Sequence, residues 1–220
     1  MKIPRIGKSA AKSYSYILGL YMGDGCVSRR PENHSYLFRL NVIDKDFAEY
    51  AMEHLFKMTG RRTKIFQQNG RFWTFSFGWK DLCDHLESVT EKKGKIPSFV
   101  KEWPLELRKK FVEAQMDSDG YVYVDRTRDR YLMGFKNCDE WFDDFVDILH
   151  SVGVKTGGIR PEKGRKPGYK DSKMVYVNLP SWAESGCRFN MKRKADKVDA
   201  MMKWRRSTTN TLERFLPKTA

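Results

Sequence analysis

Two stretches of this chain repeat each other, and the repeat limits the folds open to the chain more than any other feature. They are residues 16–25 (YILGLYMGDG) and 111–120 (FVEAQMDSDG), and each reads as one apolar helix that ends in an acid followed by glycine. The two acids, Asp24 and Asp119, are 95 positions apart by subtraction. A second copy of the same helix ending indicates an internal duplication.

The position of the two acids is unfavourable unless a positive group binds there. The exposed carbonyl groups at the C-terminus of a helix make that end partly negative, so an Asp in the last turn has the wrong charge. We expect Gly25 and Gly120 to take the left-handed conformation that often ends a helix. If the two helices pack side by side, Asp24 and Asp119 converge at one negative end. A hard divalent cation would resolve this conflict, because it takes carboxylate and carbonyl oxygens.

The predicted elements follow the same order in both halves of the chain. Gly60 and Gly153, the glycines that end the second helix of each half, are 93 positions apart. Periodicity and turn residues predict helices at 16–24, 44–60, 81–89, 105–119, 139–153, from 181 onward, and 192–206. The same signals predict strands at 26–30, 36–43, 63–67, 71–79, 121–125, 131–135, 156–160 and 174–179.

This order predicts an α+β fold built from two αββαββα halves, residues 1–98 and 99–220. We expect two antiparallel sheets, joined by the packed motif helices into a saddle with pseudo-twofold symmetry, which matches the local symmetry of duplex DNA. Residues 1–12 are expected to form a basic arm, with Ser13 or Ser15 capping the first helix. Asp81 is expected to cap the third helix, and residues 90–103 to link the halves.

The charge of the chain favours a polyanionic partner. Its 220 residues carry 42 Lys and Arg against 28 Asp and Glu, giving a net charge of +14 and an isoelectric point near 9.6. Nucleic acid is the commonest such partner, and a membrane surface is the alternative. No apolar run reaches spanning length, and the first residues lack the pattern of a secretory leader, so we expect a soluble protein that is not secreted. The four cysteines are far apart, which argues against zinc and fits a reducing compartment with access to DNA.

The strands supply candidate DNA-reading residues. In the strand at 36–43, alternate apolar residues form one face and Arg39 and Asn41 form the other. In the strand at 71–79, Thr74 and Ser76 lie opposite an aromatic stripe, which either packs in the core or stacks on bases. The full candidate DNA-binding set is Ser28, Arg30, Arg39, Asn41, Lys64, Thr74, Ser76, Arg126, Arg128 and Arg130.

The duplicated stretches resemble the motif of the LAGLIDADG homing endonucleases, in the single-chain form that carries two copies. Residues 17–25 (ILGLYMGDG) fit the nine-residue pattern well, and residues 112–120 (VEAQMDSDG) fit it less well. Ala114 replaces a usual glycine, and Gln115 replaces an apolar residue, so that Gln115 either finds a hydrogen bond at the interface or lies at its edge. The repeated element order extends the resemblance over nearly the whole chain.

The resemblance implies an endonuclease that places both sheets in the major groove of a long duplex site. Such an enzyme cuts both strands across the minor groove and leaves short 3′ overhangs. It implies that Asp24 and Asp119 bind Mg²⁺ (or Mn²⁺), with the carbonyls of Gly23 and Ser118 as further ligands. It also implies a single chain acting as a monomer on double-stranded DNA.

Four further catalytic candidates come from positions that the family uses in each half. A polar residue near the attacking water usually ends the second strand, and Asp44 and Asn137 occupy those places here, 93 positions apart. A basic residue usually precedes the closing helix, and Lys93 and Lys194 are our candidates, with Lys92 and Lys192 as alternatives. The rival function is a non-cleaving nucleic-acid-binding module, such as an RNA-splicing maturase or a DNA-binding regulator. The presence of both acids favours the enzyme.

Overall fold

A computed structural model of the chain describes residues 8–30, 35–125, 130–164, 168 and 170–215. The helices are α1 (Lys8–Met22), α2 (Lys45–Thr59), α3 (Lys80–Val89), α4 (Phe99–Glu102), α5 (Leu105–Ser118), α6 (Phe142–Ser151), α7 (Leu179–Ser185) and α8 (Lys192–Phe215). The strands are β1 (Cys26–Arg30), β2 (Ser35–Val42), β3 (Phe66–Gln68), β4 (Phe72–Gly78), β5 (Gly120–Asp125), β6 (Arg130–Asn137), β7 (Arg160–Glu162) and β8 (Ser172–Tyr176). No helix in these ranges is both long enough and apolar enough to cross a membrane.

The two halves have the same topology. One four-stranded sheet has the order β1-β2-β4-β3, the other has the order β5-β6-β8-β7, and every pairing is antiparallel. Each half therefore runs αββαββα, with α4 between the halves and α8 after the second. This confirms the predicted α+β saddle of duplicated halves. The division at residue 98 stays a prediction.

The first sheet buries one face and leaves the other open, as its alternation predicts. Phe38, Leu40 and Val42 of β2 lie in the core, whereas Arg39 is half-buried and Asn41 exposed on the opposite face. Burying large apolar side chains contributes about 1.5–3 kcal/mol each, so this register is strongly preferred over a one-residue slip. The open face is the surface that the helices leave uncovered.

The two halves meet where α1 packs against α5. A Cβ atom at Gly19 would lie 2.7 Å from the Phe111 carbonyl oxygen and 2.8 Å from the Ala114 Cβ, so only glycine allows this approach. Gln115 is fully buried and donates its Nε2 hydrogen to the Gly19 carbonyl at 2.6 Å. Of the two alternatives for Gln115, the interface hydrogen bond is the one observed.

The expectation for Gly25 and Gly120 is wrong. Neither has a positive φ, unlike Gly60, where φ is 69° at the end of α2. Their small size is needed instead because the chain turns directly back over the helix. A Cβ at Gly120 would lie 2.4 Å from the Met116 carbonyl oxygen, and one at Gly25 would lie 3.0 Å from the Leu20 carbonyl oxygen.

Three expected helix starts also differ from the structure. Helix α1 already includes Lys8, so residues 8–12 are helical rather than part of an arm. Ser13 and Ser15 are buried within α1, where they contact His54 and the Leu107 carbonyl, and cap nothing. Asp81 lies in the first turn of α3, whose N-cap residue is Trp79, and α6 begins at Phe142 rather than at 139.

Two strands are shorter or later than predicted. The turn between β3 and β4 lies where expected, and Asn69 and Gly70 both have positive φ between Gln68, whose carbonyl accepts a hydrogen bond at 3.2 Å, and Arg71, whose backbone N–H donates it. However, β3 begins at Phe66, which leaves Lys64 exposed in the segment before it. β7 begins at Arg160, with only an isolated bridge at Thr156. The predicted linker also packs against the protein, since Ile96 and Val100 are buried.

Candidate functional site

The ends of the two motif helices bring Asp24 and Asp119 together. Asp119 is the residue that ends α5, and its Oδ2 lies 3.4 Å from the point where a Cβ on Gly23 would stand. Burial and the nearby charge of Asp24 raise the pKa of Asp119 to about 6. Burial raises the pKa of Asp24 as well, and Lys194 and Lys93 partly offset this effect. The site thus holds two desolvated carboxyl groups that repel each other.

A lysine lies against the end of each motif helix. Lys93 Nζ donates a hydrogen bond to the Gly23 carbonyl at 2.7 Å. Lys194 Nζ donates to the Asp117 carbonyl at 2.6 Å, the Met116 carbonyl at 3.0 Å and the Ser118 carbonyl at 3.3 Å. Cations are favoured at helix C-termini, where these carbonyls point outward. The alternative lysines, Lys92 and Lys192, are both exposed.

Burial lowers the pKa of both lysines. The pKa of Lys194 falls to about 8, because desolvation outweighs attraction by Asp117 and Asp24. The pKa of Lys93 is also lowered by desolvation, with Asp119 acting in the opposite direction. Ionisable groups with shifted pKa values cluster at functional sites, so this arrangement is typical of a catalytic centre.

The six candidate catalytic residues divide between two recesses, one beside each acid. The Asp119 recess, with a volume of about 1080 Å³, is lined by Asp119, Lys93 and Asn137 together with Gly23. The Asp24 recess, with a volume of about 420 Å³, is lined by Asp24, Lys194 and Asp44 together with Ser118. Each recess therefore combines residues from both halves of the chain.

The residue at the end of the second strand behaves differently in the two recesses. Asn137 donates its amide hydrogen to Asp119 Oδ2 at 2.9 Å. Asp44 instead forms a two-pronged ion pair with Arg193, with Nε to Oδ1 at 3.0 Å and the second nitrogen to Oδ2 at 2.9 Å. Arg193 was not among the sequence candidates, because nothing local links it to a residue 149 positions away.

The donor set fits a divalent metal ion. No three His, Cys, Asp or Glu side chains form a metal cluster within the described ranges, so backbone oxygens would have to complete the set. The two carboxylates and the carbonyls of Gly23 and Ser118 are hard oxygen donors, which magnesium and manganese prefer. Two repelling, desolvated carboxyl groups are also the electrostatic setting that a cation stabilises.

Asp117 is a further residue of the site that sequence reasoning missed. It is fully buried, and its carboxylate accepts hydrogen bonds from Tyr16 Oη at 2.8 Å, from Asn190 N at 2.9 Å and from Asn190 Nδ2 at 2.9 Å. Burial raises its pKa to about 6 despite these donors. Asn190 precedes α8, so Asp117 holds the segment that leads to Lys194. The acid within the second motif was the only signal in the sequence.

The open face of the first sheet gathers four of the predicted DNA-binding residues. Arg39 pairs with Ser76 and Asn41 with Thr74 across β2 and β4. Arg39 donates to Ser76 Oγ at 3.1 Å, and Thr74 donates to Asn41 Oδ1 at 2.9 Å. Thr74 is only 2% exposed and therefore supports Asn41 rather than presenting a free group.

The other predicted DNA-binding residues are more scattered. Ser28 lies on the open face of β1, opposite Leu37. Arg30 and Arg130 lie in strands, but their side chains are outside the described part of the chain, and Arg126 and Arg128 lie wholly outside it. Within the aromatic stripe, Phe75 and Phe77 are core residues, whereas Phe72 lines the Asp24 recess.

None of the described side chains on the open face of the second sheet was a sequence candidate. The strand register places alternate residues of β5, β6 and β8 on this face, among them Tyr121, Tyr123, Leu132, Lys136, Met174 and Tyr176. Tyr123 is 52% exposed, although tyrosine is usually covered. Lys136 forms an ion pair with Glu162. Once the register is known, the alternation identifies these residues.

Sequence comparisons find two relatives in Methanocaldococcus jannaschii, and no protein-family model matches the chain. Uncharacterized protein MJ0398 is 31% identical over 217 residues, a match that covers 90% of this chain and 74% of that protein. DNA-directed RNA polymerase subunit Rpo1N is 28% identical over 194 residues, which is 73% of this chain but only 14% of that subunit.

Solved structures with the same architecture include homing endonucleases. A variant of I-DmoI, in complex with its target DNA and with manganese, has a TM-score of 0.57 at 14% identity, covering 81% of this chain and 94% of that one. I-WcaI bound to its DNA recognition sequence has a TM-score of 0.57 at 12% identity, covering 86% and 88%. A variant of I-SmaMI has a TM-score of 0.52 at 11% identity, covering 84% and 88%. At these identities the likeness establishes the fold.

Proposed function

We propose that this chain, which belongs to the same family as uncharacterized protein MJ0398 of Methanocaldococcus jannaschii and has the LAGLIDADG homing endonuclease fold, is a site-specific endonuclease that cuts both strands of duplex DNA. The observation that carries the proposal is the convergence of Asp24 and Asp119 at the packed ends of α1 and α5, each in a recess with a lysine that is at least half-buried. A fold kept only for binding has no need of two desolvated acids in this position.

In this proposal each recess acts on one strand of the duplex. Asp24 and Asp119, with the carbonyls of Gly23 and Ser118, would hold the divalent metal ion, Mg²⁺ or Mn²⁺. The ion would lower the pKa of the attacking water and stabilise negative charge on the phosphate. Neighbouring homing endonuclease structures contain manganese, magnesium or calcium, which supports this choice of cation.

The remaining catalytic candidates orient groups and supply positive charge. Lys93 and Lys194 carry positive charges into the recesses, where they stabilise the negative charge that grows on the phosphate during cleavage. Asn137 fixes the carboxylate of Asp119 through its amide hydrogen and accepts a hydrogen bond from the Asp139 backbone at 2.8 Å. Asp44 holds the equivalent place beside Asp24. Both residues also present oxygen atoms that can orient the attacking water.

The open sheet faces bind the duplex in the proposal. Arg39 and Asn41 carry the side chains that pair with guanine and adenine edges in the major groove. The net charge of +14 supplies the attraction to the phosphate backbone. Because both sheets belong to one chain, the protein is proposed to bind as a monomer and to read a site of two unlike halves.

Substituting the acids tests this function directly. The wild-type protein with magnesium is expected to cut a subset of a random duplex library on both strands. Asp24→Asn and Asp119→Asn are each expected to abolish double-strand cutting while keeping DNA affinity, because each change removes a metal ligand and also a group that repels phosphate. Linearised product and a binding curve for each variant are the measurements.

Two outcomes of this experiment contradict the proposal. Magnesium-dependent cutting that survives in either variant would remove the acids from the catalytic role. Tight, sequence-selective binding by the wild-type protein without any cutting would favour the rival, a non-cleaving nucleic-acid-binding module on the same fold.

A further inference from the structure

The two recesses differ by one formal charge at equivalent positions. Asn137 ends β6 and is neutral, whereas Asp44 follows β2 and is a carboxylic acid. Asn137 can donate a hydrogen bond to the neighbouring acid and does so at 2.9 Å. An ionised Asp44 has no hydrogen to donate to Asp24. Without compensation, its charge would add to that of Asp24 in the recess that must accept a phosphate.

Arg193 supplies the positive charge that compensates for Asp44. Its guanidinium forms parallel hydrogen bonds to both oxygens of Asp44, the geometry in which an arginine–carboxylate pair is strongest. The Asp44 side chain is only 14% exposed, so its charge is poorly screened by water, whereas the Arg193 side chain is 53% exposed. Both side chains line the Asp24 recess together with Lys194.

The pair also joins the two halves of the chain. Asp44 is the N-cap residue of α2, and Arg193 lies in the first turn of α8. Beside this pair, the Lys192 backbone N–H donates to Asp46 Oδ2 at 2.5 Å, so two acids at the start of α2 hold the start of α8. Lys194 follows Arg193 directly in the sequence and is therefore placed by the same contacts.

We propose that Arg193 is a positioning residue of the Asp24 recess, which neutralises and orients Asp44 so that this recess can cut its strand. The inference rests on the proposed function, in which each recess cuts one strand. The Asp119 recess needs no such residue, because Asn137 is already neutral. Loss of Arg193 should therefore affect the two strands unequally, whereas a general loss of positive charge would affect them alike.

The test is a single-turnover cleavage assay on a duplex with a different label on each strand, in magnesium, with every variant first checked for an unchanged melting temperature. Arg193→Ala is expected to slow cutting of one strand by about tenfold or more and to leave the other within about twofold. Adding Asp44→Asn to Arg193→Ala copies the neutral residue of the other recess and is expected to recover most of the lost rate. Arg193→Lys keeps the charge, and its rate on the affected strand is expected to lie between the rates of Arg193→Ala and of the double variant.

Lys192→Ala is the matched control. It removes one positive charge at the neighbouring position, where the side chain is 75% exposed and pairs with Asp196 of its own helix. The backbone contact to Asp46 is unaffected by this change. The ratio of the two strand rates is expected to stay at the wild-type value, whatever happens to overall affinity.

The outcomes separate this inference from the function on which it rests. Equal slowing of both strands by Arg193→Ala, or no recovery on adding Asp44→Asn, would overturn the positioning role and make Arg193 a DNA contact or a docking residue. An unchanged strand ratio in Arg193→Ala would also overturn it. If the wild-type protein cuts neither strand, the proposed function fails and the inference fails with it.

Discussion

A lysine at the end of each motif helix places a positive charge beside the two acids, and Lys194 is the more deeply buried of the two. Lys194 is only 6% exposed, and it binds three successive carbonyl groups at the end of α5. A cation without a partner at this depth would be costly, but the partly negative end of α5 stabilises it. The same carbonyls keep the ammonium group in one place, facing the recess that holds Asp24.

Replacing Lys194 is expected to slow cleavage without changing the preferred sequence. Lys194→Met keeps the length of the side chain but removes the charge that would stabilise the phosphate, a loss on the order of 10² in rate. A single-turnover rate and a site-selection profile measure the two effects. The rate of the wild-type protein should also fall as pH rises through about 8, because a lysine with a lowered pKa loses its charge there.

The exposed Lys92→Met variant is the control for the preceding experiment. It should keep the wild-type cleavage rate and the decrease of that rate above pH 8. Lys92 is not one of the described residues that line the two recesses. A changed sequence profile in Lys194→Met, with an unchanged rate, would make Lys194 a DNA-positioning contact.

Arg39 is expected to read a base rather than to anchor the backbone of the DNA. Its side chain lies on the open face of β2, where its Nε donates to Ser76 Oγ and its other nitrogens have no partner among the described residues. Arg39→Ala should cost about 1–3 kcal/mol of binding and relax the preference at one base position. The measurement is a site-selection profile at fixed salt. A uniform loss of affinity over all sequences would indicate a phosphate contact instead.

At the level of elements, the crossing of α1 and α5 determines where the two acids lie. Gly19→Ala would gain about 1 kcal/mol in helix propensity. The new methyl group would meet the Phe111 carbonyl at 2.7 Å, however, and overpacking typically costs about 1–3 kcal/mol. Because the obstacle is backbone, the helices must separate, so we expect a lower free energy of unfolding and a larger loss of cleavage than of DNA binding.

Gly158→Ala is the control for that change. Within the described part of the chain, no atom outside its chain neighbours lies within 4 Å of a Cβ at Gly158, and its φ is not positive. Denaturant unfolding of both variants gives the comparison. If Gly19→Ala is as stable and as active as Gly158→Ala, the close contact at Gly19 does not set the geometry of the acids.

The sequence predicts most of the elements because their signals are local. The alternation in β2 and the Asn69–Gly70 turn each depend on a few adjacent residues, and both are found as expected. The end of α1 is different, because whether Gly25 needs a left-handed backbone or only a small volume depends on how the chain turns back over the helix. That turn is a tertiary feature, and the sequence pattern is the same in both cases.

The site was less predictable than the fold, since its contacts join distant parts of the chain. The duplication singles out Asp24 and Asp119, and the resemblance to the LAGLIDADG family adds Lys93 and Lys194. The Asp44–Arg193 pair and the bond from Asn190 to Asp117 span 149 and 73 positions and have no counterpart in the repeat. Features that break the symmetry of a duplicated fold are invisible to an argument from symmetry.

At the level of the whole molecule, the net charge predicts how binding responds to salt. A protein of charge +14 that covers a long duplex displaces condensed counterions from the DNA, so the logarithm of the affinity should fall linearly with the logarithm of the salt concentration. The slope is about −0.9 for each phosphate neutralised, and six to ten contacts would reduce affinity by about 10³–10⁵ between 50 and 200 mM salt.

Two variants separate the contribution of phosphate contacts from that of base contacts. Lys64 is exposed before β3 and is suited to a phosphate contact, so Lys64→Ala should weaken binding to all sequences and make the slope shallower by about one. Arg39→Ala should change the sequence preference and leave the slope nearly as it was. A flat salt response of the wild-type protein would contradict duplex DNA as the partner, and equal slopes for wild type and Lys64→Ala would remove Lys64 from the interface.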